Sequence, residues 1–205
     1  MKSTLKISAL VLAFAGLALG AKAQTSTTTT STKTTTSSNG VILSIGVDAG
    51  IPTGKLSDNY NFNIGGSVQA DLPVAQNLFV TLNAGYNSIQ GKNNISVLTP
   101  GGVTSVDATN IQLLPVKAGL KYFVVPNFYV QGEAGAAFLL NKSDLNDDKS
   151  AAFIYAPQIG YQFPLGGKSF IDAGVRYEAS TKFSNTFDDS KVNFFGLRVA
   201  YAFGL

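Results

Sequence analysis

The chain has 205 residues, of which 13% are charged, and a net charge of +3. Soluble globular domains carry about 25% charged residues, so the composition argues against an ordinary soluble domain, and so small a net charge without a basic run argues against nucleic acid as a partner. Cysteine and histidine are both absent, which excludes disulfides, thiolate metal sites and histidine-dependent catalytic dyads.

Met1 to Ala23 has the form of a secretory signal peptide. Lys2 and Lys6 give the positive start, Ile7 to Gly20 the apolar run, and Ala21-Lys22-Ala23 the cleavage site. The run is shorter than the ~20 residues of a spanning helix, so export and cleavage before Gln24 are expected. Residues 24–40 are almost entirely Thr and Ser. They cannot bury apolar surface and read as a disordered periplasmic tether. The folding domain is expected over residues 41–205.

From Val41 onward, apolar residues recur with period two, the signature of strands with one apolar face. The first strand sets Val41, Leu43, Ile45, Val47, Ala49 and Ile51 against Ser44, Gly46, Asp48 and Gly50. The second presents Ile64, Gly66, Val68, Ala70 and Leu72, with Asn63, Ser67, Gln69 and Asp71 behind; the third presents Leu78, Val80, Leu82, Ala84 and Tyr86. Ile89 to Thr109 reads as a long loop. The fourth strand carries Leu114 to Tyr122 outward, and after a turn at Val125 and Pro126 the fifth carries Phe128 to Leu140. The sixth shows Phe153, Tyr155, Ile159, Tyr161 and Phe163, and the seventh Ile171, Ala173, Val175, Tyr177 and Ala179. The last strand, Val192 to Leu205, sets Phe195, Leu197, Val199, Tyr201 and Phe203 against Phe194, Gly196, Arg198, Ala200 and Ala202.

Eight strands of about ten residues suit tilted transmembrane strands. Their connections alternate long and short, as in an up-and-down barrel with long outer loops and tight periplasmic turns. The expected fold is all-β: an eight-stranded antiparallel up-and-down transmembrane β-barrel. A lipocalin-like soluble barrel would put dense Lys and Glu on its polar face, whereas this face is mostly Gly, Ser, Asn, Ala and Gln. Aromatics on the apolar face sort by height. Tyr122, Phe128, Phe163, Tyr201 and Phe203 lie near the short turns, and Tyr86, Phe138, Phe153, Tyr155, Tyr177 and Phe195 near the long loops. Two interfacial girdles are expected.

The polar face carries Asp48, Lys117, Lys121, Glu133, Asp172, Arg176, Glu178 and Arg198, four acids and four bases. An eight-stranded lumen is filled by side chains, so these charges must pair inside it. If Tyr122 opposes Phe128, Lys117 falls directly opposite Glu133; Arg198 with Asp172 is a second candidate pair. Pro115 and Pro157 interrupt strands, and Pro157 predicts a bulge or a missing bond. The loop acids Asp144, Asp147, Asp148, Asp188 and Asp189 match no cation-binding spacing and read as solvated charge.

The strand patterns I-G-V-D-A-G-I-P-T-G, L-L-P-V-K-A-G-L-K-Y-F and P-Q-I-G-Y-Q-F, with the terminal Y-A-F, resemble the outer-membrane β-barrel domain family of OmpX and the OmpA transmembrane domain, a porin-family type of small barrel. The resemblance implies residence in the outer membrane of a Gram-negative cell envelope. It implies contact with outer-membrane lipid and lipopolysaccharide, and recognition of the C-terminal strand by the barrel-assembly machinery. No catalytic, cofactor or metal site is expected. The expected role is structural, or surface interaction through the long loops with an external ligand that the residues do not specify. The alternative is a narrow porin-like channel or transporter for small solutes.

Overall fold

The computed structural model of the chain describes residues 40–93, 95–99, 102–141, 150–183 and 191–205. The signal peptide, the tether through Asn39 and the loop acids Asp144, Asp147, Asp148, Asp188 and Asp189 lie outside the described residues.

Among the described residues ten strands follow one another: β1 (Ile42–Pro52), β2 (Tyr60–Ala75), β3 (Leu78–Gly91), β4 (Ile95–Thr99), β5 (Gly102–Val106), β6 (Ile111–Val125), β7 (Phe128–Leu139), β8 (Ala151–Gly166), β9 (Ser169–Ser180) and β10 (Asn193–Gly204). Eight of them form a closed antiparallel barrel in the order β1-β10-β9-β8-β7-β6-β3-β2. Closure comes from β1 pairing with β10 in one unbroken register, from Ile42 opposite Gly204 to Pro52 opposite Phe194. A closed barrel leaves no strand edge unpaired, which a bilayer demands.

The remaining two strands correct the reading of Ile89 to Thr109 as plain loop. β3 runs on to Gly91, and β4 and β5 pair only with each other, Ile95 opposite Val106 through Thr99 opposite Gly102. The stretch is rich in Ile, Val and Thr, which favour extended backbone. Between β1 and β2, Leu56–Asn59 forms one helical turn, so β2 begins sooner than the alternation suggested.

Three two-residue turns join β2 to β3, β6 to β7 and β8 to β9. Asn77 and Asn127 take positive φ there, which asparagine tolerates better than most residues. Each turn is preceded by a register shift, at Val74, Val124 and Leu165 respectively. The extra residue is a large aliphatic in each case, exposed on the outside. The tight Pro126–Asn127 turn, together with the bulge at Val124, corrects the expected β6–β7 register. Tyr122 faces Val130 rather than Phe128, so Glu133 stands opposite Gly119 and Lys117 opposite Gly135.

Both strand prolines break a ladder on one side only. Pairing between β8 and β9 jumps from Tyr155–Ala179 to Gln158–Arg176 across Pro157, without a register change. Pairing between β3 and β6 similarly jumps from Ala84–Val116 to Asn87–Leu113 across Pro115. Proline has no N–H to donate, so the bond is lost while the strand keeps its course.

Candidate functional site

The barrel interior is the candidate site, and it has three layers. Nearest the short turns, Ile42, Phe79, Phe123, Tyr129, Phe170 and Ala202 pack into an apolar plug. Phe123 meets Phe79 edge-on at 5.6 Å and Tyr129 at 5.8 Å between ring centroids. At the loop end a second apolar cluster includes Leu56, Ile89, Leu113, Ile154, Phe183 and Phe194. Alternation in the sequence already puts Phe194 and Ala202 on this inner face, whereas Ile89 and Phe183 fall in stretches that read as loop.

Between the plugs lies a charged layer. Asp48, Lys117, Lys121, Glu133, Asp172, Arg176, Glu178 and Arg198 are all buried on the inner face. A ninth charge, Asp71, joins them. It shares the parity of Ser67 and Gln69 on β2, which is the signal that would have found it. The count is therefore five acids (Asp48, Asp71, Glu133, Asp172, Glu178) against four bases (Lys117, Lys121, Arg176, Arg198), not four against four.

The half of the layer nearer the turns is built around Lys121. Its Nζ lies 2.6 Å from Asp71 and 3.4 Å from Asp172, and 4.5 Å over the Tyr129 ring. Asp172 also accepts bonds from Tyr129 Oη (2.6 Å) and Gln162 Nε2 (3.0 Å), while Gln158 Nε2 donates to Tyr129 Oη at 2.7 Å. Arg198 donates to Ser67 at 3.0 Å and Ser44 at 2.9 Å, and its Nη1 stands 3.8 Å from Asp172. The expected Arg198–Asp172 pair is thus the loosest contact of that aspartate.

Nearer the loops, Lys117 lies 2.7 Å from Glu178 and 3.5 Å from Glu133. The Lys117–Glu133 contact is present, but as a diagonal one, because the tight Pro126–Asn127 turn sets the register two residues from the expected one. Arg176 Nη2 donates to Asp48 at 2.7 Å. Several buried polar atoms in this half have no hydrogen-bond partner, among them Asp48 Oδ2 and both side-chain polar atoms of Asn63, while Glu133 Oε2 and Arg176 Nε have only the longer ion-pair contacts to Lys117 (3.5 Å) and Glu178 (3.9 Å). Ordered water commonly satisfies buried groups of this kind. Among the described residues, no group of three or more Asp and Glu is placed to hold a metal ion.

Small residues make room for the network. Gly160 and Gly174 face each other on β8 and β9 beside Tyr129. A Cβ at Gly160 would fall on the Tyr129 phenol, and one at Gly174 would come within 2.6 Å of Gln158 Nε2. The outer surface is the reverse of the interior. Tyr86, Tyr122, Phe138, Phe153, Tyr155, Phe163, Phe195 and Tyr201 are exposed, while Phe128, Tyr177 and Phe203 are partly covered. Tyr177 packs on Phe195 and Tyr201 on Phe203.

A closed barrel of eight strands, apolar outside and charged within, is the architecture of a small transmembrane β-barrel. Residues 8–203 match the outer membrane protein beta-barrel domain, and the chain belongs to that family. Among solved structures, OprG of Pseudomonas aeruginosa is similar at 11% identity and a TM-score of 0.51, over 82% of this chain and 96% of that one. Ail of Yersinia pestis is 17% identical, with a TM-score of 0.45 over 80% of this chain and 99% of its own. No curated protein matches the chain. These likenesses concern the fold alone. The protein is an outer-membrane barrel, and its exposed apolar face lies against lipid.

Proposed function

We propose that this protein is a closed, non-catalytic barrel that acts at the cell surface through its long loops, and conducts no solute. The observation that carries this reading is the sealing of the charged layer at both ends. Tyr129 and Phe194, one in each plug, are 0% and 1% exposed, and Arg198 between them is 0% exposed. A conduction path needs a continuous polar lining, and here two apolar clusters interrupt it. Lack of a histidine base supports the non-catalytic reading.

In this reading Met1 to Ala23 directs export and residues 24–40 form a periplasmic tether. The eight inward charges picked out by parity, with Asp71, form the lumen network that stiffens the barrel. The outward aromatics form the two girdles, lipopolysaccharide surrounds the loop-side half, and the assembly machinery reads β10. Trypsin applied to intact cells tests the orientation. Cleavage is expected after Lys92, Lys142, Lys149 or Lys191, with the tether protected until the envelope is broken. Cleavage confined to Lys168 would reverse the topology.

A further inference from the structure

Of the eight pairings that close the barrel, two are interrupted in mid-strand among the described residues, β3 with β6 at Pro115 and β8 with β9 at Pro157. The first skips Gly85 and Tyr86 on β3; the second skips Ala156 and Pro157 on β8, which by count stand opposite Glu178 and Tyr177. These two seams bound a panel of three strands, β6, β7 and β8. They divide it from the other five, β9, β10, β1, β2 and β3. Both interruptions lie in the loop-side half of the wall. Pro115 is four residues along β6 from Ile111, and Pro157 is six along β8 from Ala151.

Inside the barrel the charged layer divides along the same seams. The five-strand panel carries Asp48, Asp71, Asp172, Glu178, Arg176 and Arg198, four acids against two bases; the three-strand panel carries Lys117, Lys121 and Glu133. Both arginines bond within their own panel, Arg176 to Asp48 and Arg198 to Ser44 and Ser67. Both lysines reach across. Lys121 binds Asp71 and Asp172 towards the turns, where Phe79 meets Phe123 and a two-residue turn ties β8 to β9. Lys117 stands two residues from Pro115, and its acceptor at 2.7 Å is Glu178, which the other seam leaves without a ladder partner on β8. One ion pair thus spans the lumen from gap to gap.

We propose that β6, β7 and β8 form a hinged panel of the barrel wall, latched at its loop-side end by Lys117 on Glu178, and that this panel parts from its neighbours at both seams together while the other five strands stay paired. Each seam lacks a backbone bond where the panel parts, since proline has no N–H to give. Sub-global opening starts where such bonds are fewest. At the turn-side end the Lys121 contacts, the aromatic plug and the covalent turn act as the hinge. The apolar cluster at the loop end draws on both panels, with Ile154 from one and Phe194 from the other, so the closed state is the resting one. The inference goes beyond the sealed-lumen reading, which concerns that resting state, and it is independent of which way the loops point.

Amide hydrogen exchange of the full-length protein in lipid nanodiscs, followed residue by residue by NMR, tests the panel. In the wild type, the amides of residues 83–87 and 175–179 that point across the two seams should share one protection factor, roughly tenfold below that of the amides crossing the unbroken β1–β10 pairing at residues 45–49. Lys117→Met removes the latch and should lower protection at both seams by the same factor, about tenfold or more. A lock tests the coupling without touching the interior. Ala84 and Val116 face each other across the first seam, and opposed residues lie ~4.5–5.5 Å apart at Cα, within disulfide range. Because the chain has no cysteine, Ala84→Cys with Val116→Cys gives a single bridge. Its oxidation should raise protection at the second seam, between β8 and β9, and its reduction should restore the wild-type value. Different protection factors at the two seams, seam amides that ignore Lys117→Met, or a second seam indifferent to the bridge would each overturn the proposal, since each describes two separate local defects. The disulfide comparison stands even if Lys117→Met does not fold.

Discussion

Lys117 shows how the interior is held at the level of single residues. Its ammonium group sits between Glu178 and Glu133, nearer the former by 0.8 Å on distances of 2.7 and 3.5 Å. Removing it leaves two buried carboxylates beside Arg176 alone. Lys117→Met should therefore cost about 3–5 kcal/mol in urea unfolding from lipid vesicles. In double-mutant cycles its coupling to Glu178→Gln should exceed that to Glu133→Gln. Equal couplings would mean that the diagonal contact matters as much as the short one. A second test concerns space rather than charge. Gly160→Ala sets a methyl group against the Tyr129 phenol and should cost about 1–3 kcal/mol through overpacking. In a Tyr129→Phe background the penalty should shrink, because the group it collides with is trimmed; an unchanged penalty would locate the strain elsewhere. Parity in the sequence was enough to find eight inward charges. It did not reveal that Lys117 on β6 reaches Glu178 on β9, because strand patterns specify neighbours along a ladder and not partners across a lumen.

At the level of elements, the strands were legible and their registers were not. Alternation marks the inner face wherever that face is polar or small and the other is apolar, which is why β1, β7 and β10 lie where the pattern put them. The β6–β7 register depended on where the chain turns, and nothing in V-V-P-N says that Val125 already pairs with Phe128 across a two-residue turn or that Val124 is bulged. The β4–β5 hairpin was missed for a different reason. Its two strands are only five residues each, I-S-V-L-T and G-V-T-S-V, too short to carry a clear alternation. Deleting residues 94–106 should leave the unfolding midpoint of the barrel unchanged, since β4 and β5 pair only with each other; a clear drop would show that the hairpin braces the barrel wall. On β10, Val199 is on the lipid face, 39% exposed, and opposes Val47. Val199→Arg should lower stability by about 2–4 kcal/mol if it lies at mid-membrane, measured by the same vesicle unfolding. Ala200→Arg, on the buried inner face, should act through crowding beside Asp172 and Gly46 instead.

For the whole molecule, the apolar exterior places the barrel in a bilayer while the interior decides what passes through it. The charged layer by itself reads like the lining of a pore, and from the sequence a narrow channel stood as the alternative. The two plugs change that balance. They consist of residues such as Phe79, Phe170, Ile89 and Phe194 at the strand ends, where the polar inward pattern gives way to apolar side chains. In the proposed reading, an internal ion-pair network enclosed in this way stiffens the wall, and all of its charged residues are buried. The most direct test is planar-bilayer recording on the purified full-length protein. No sustained single-channel steps are expected from the wild type. Steady steps whose size responds to Phe170→Ala or Phe194→Ala would contradict the account, because they would show ions passing through the layers that are held here to be closed.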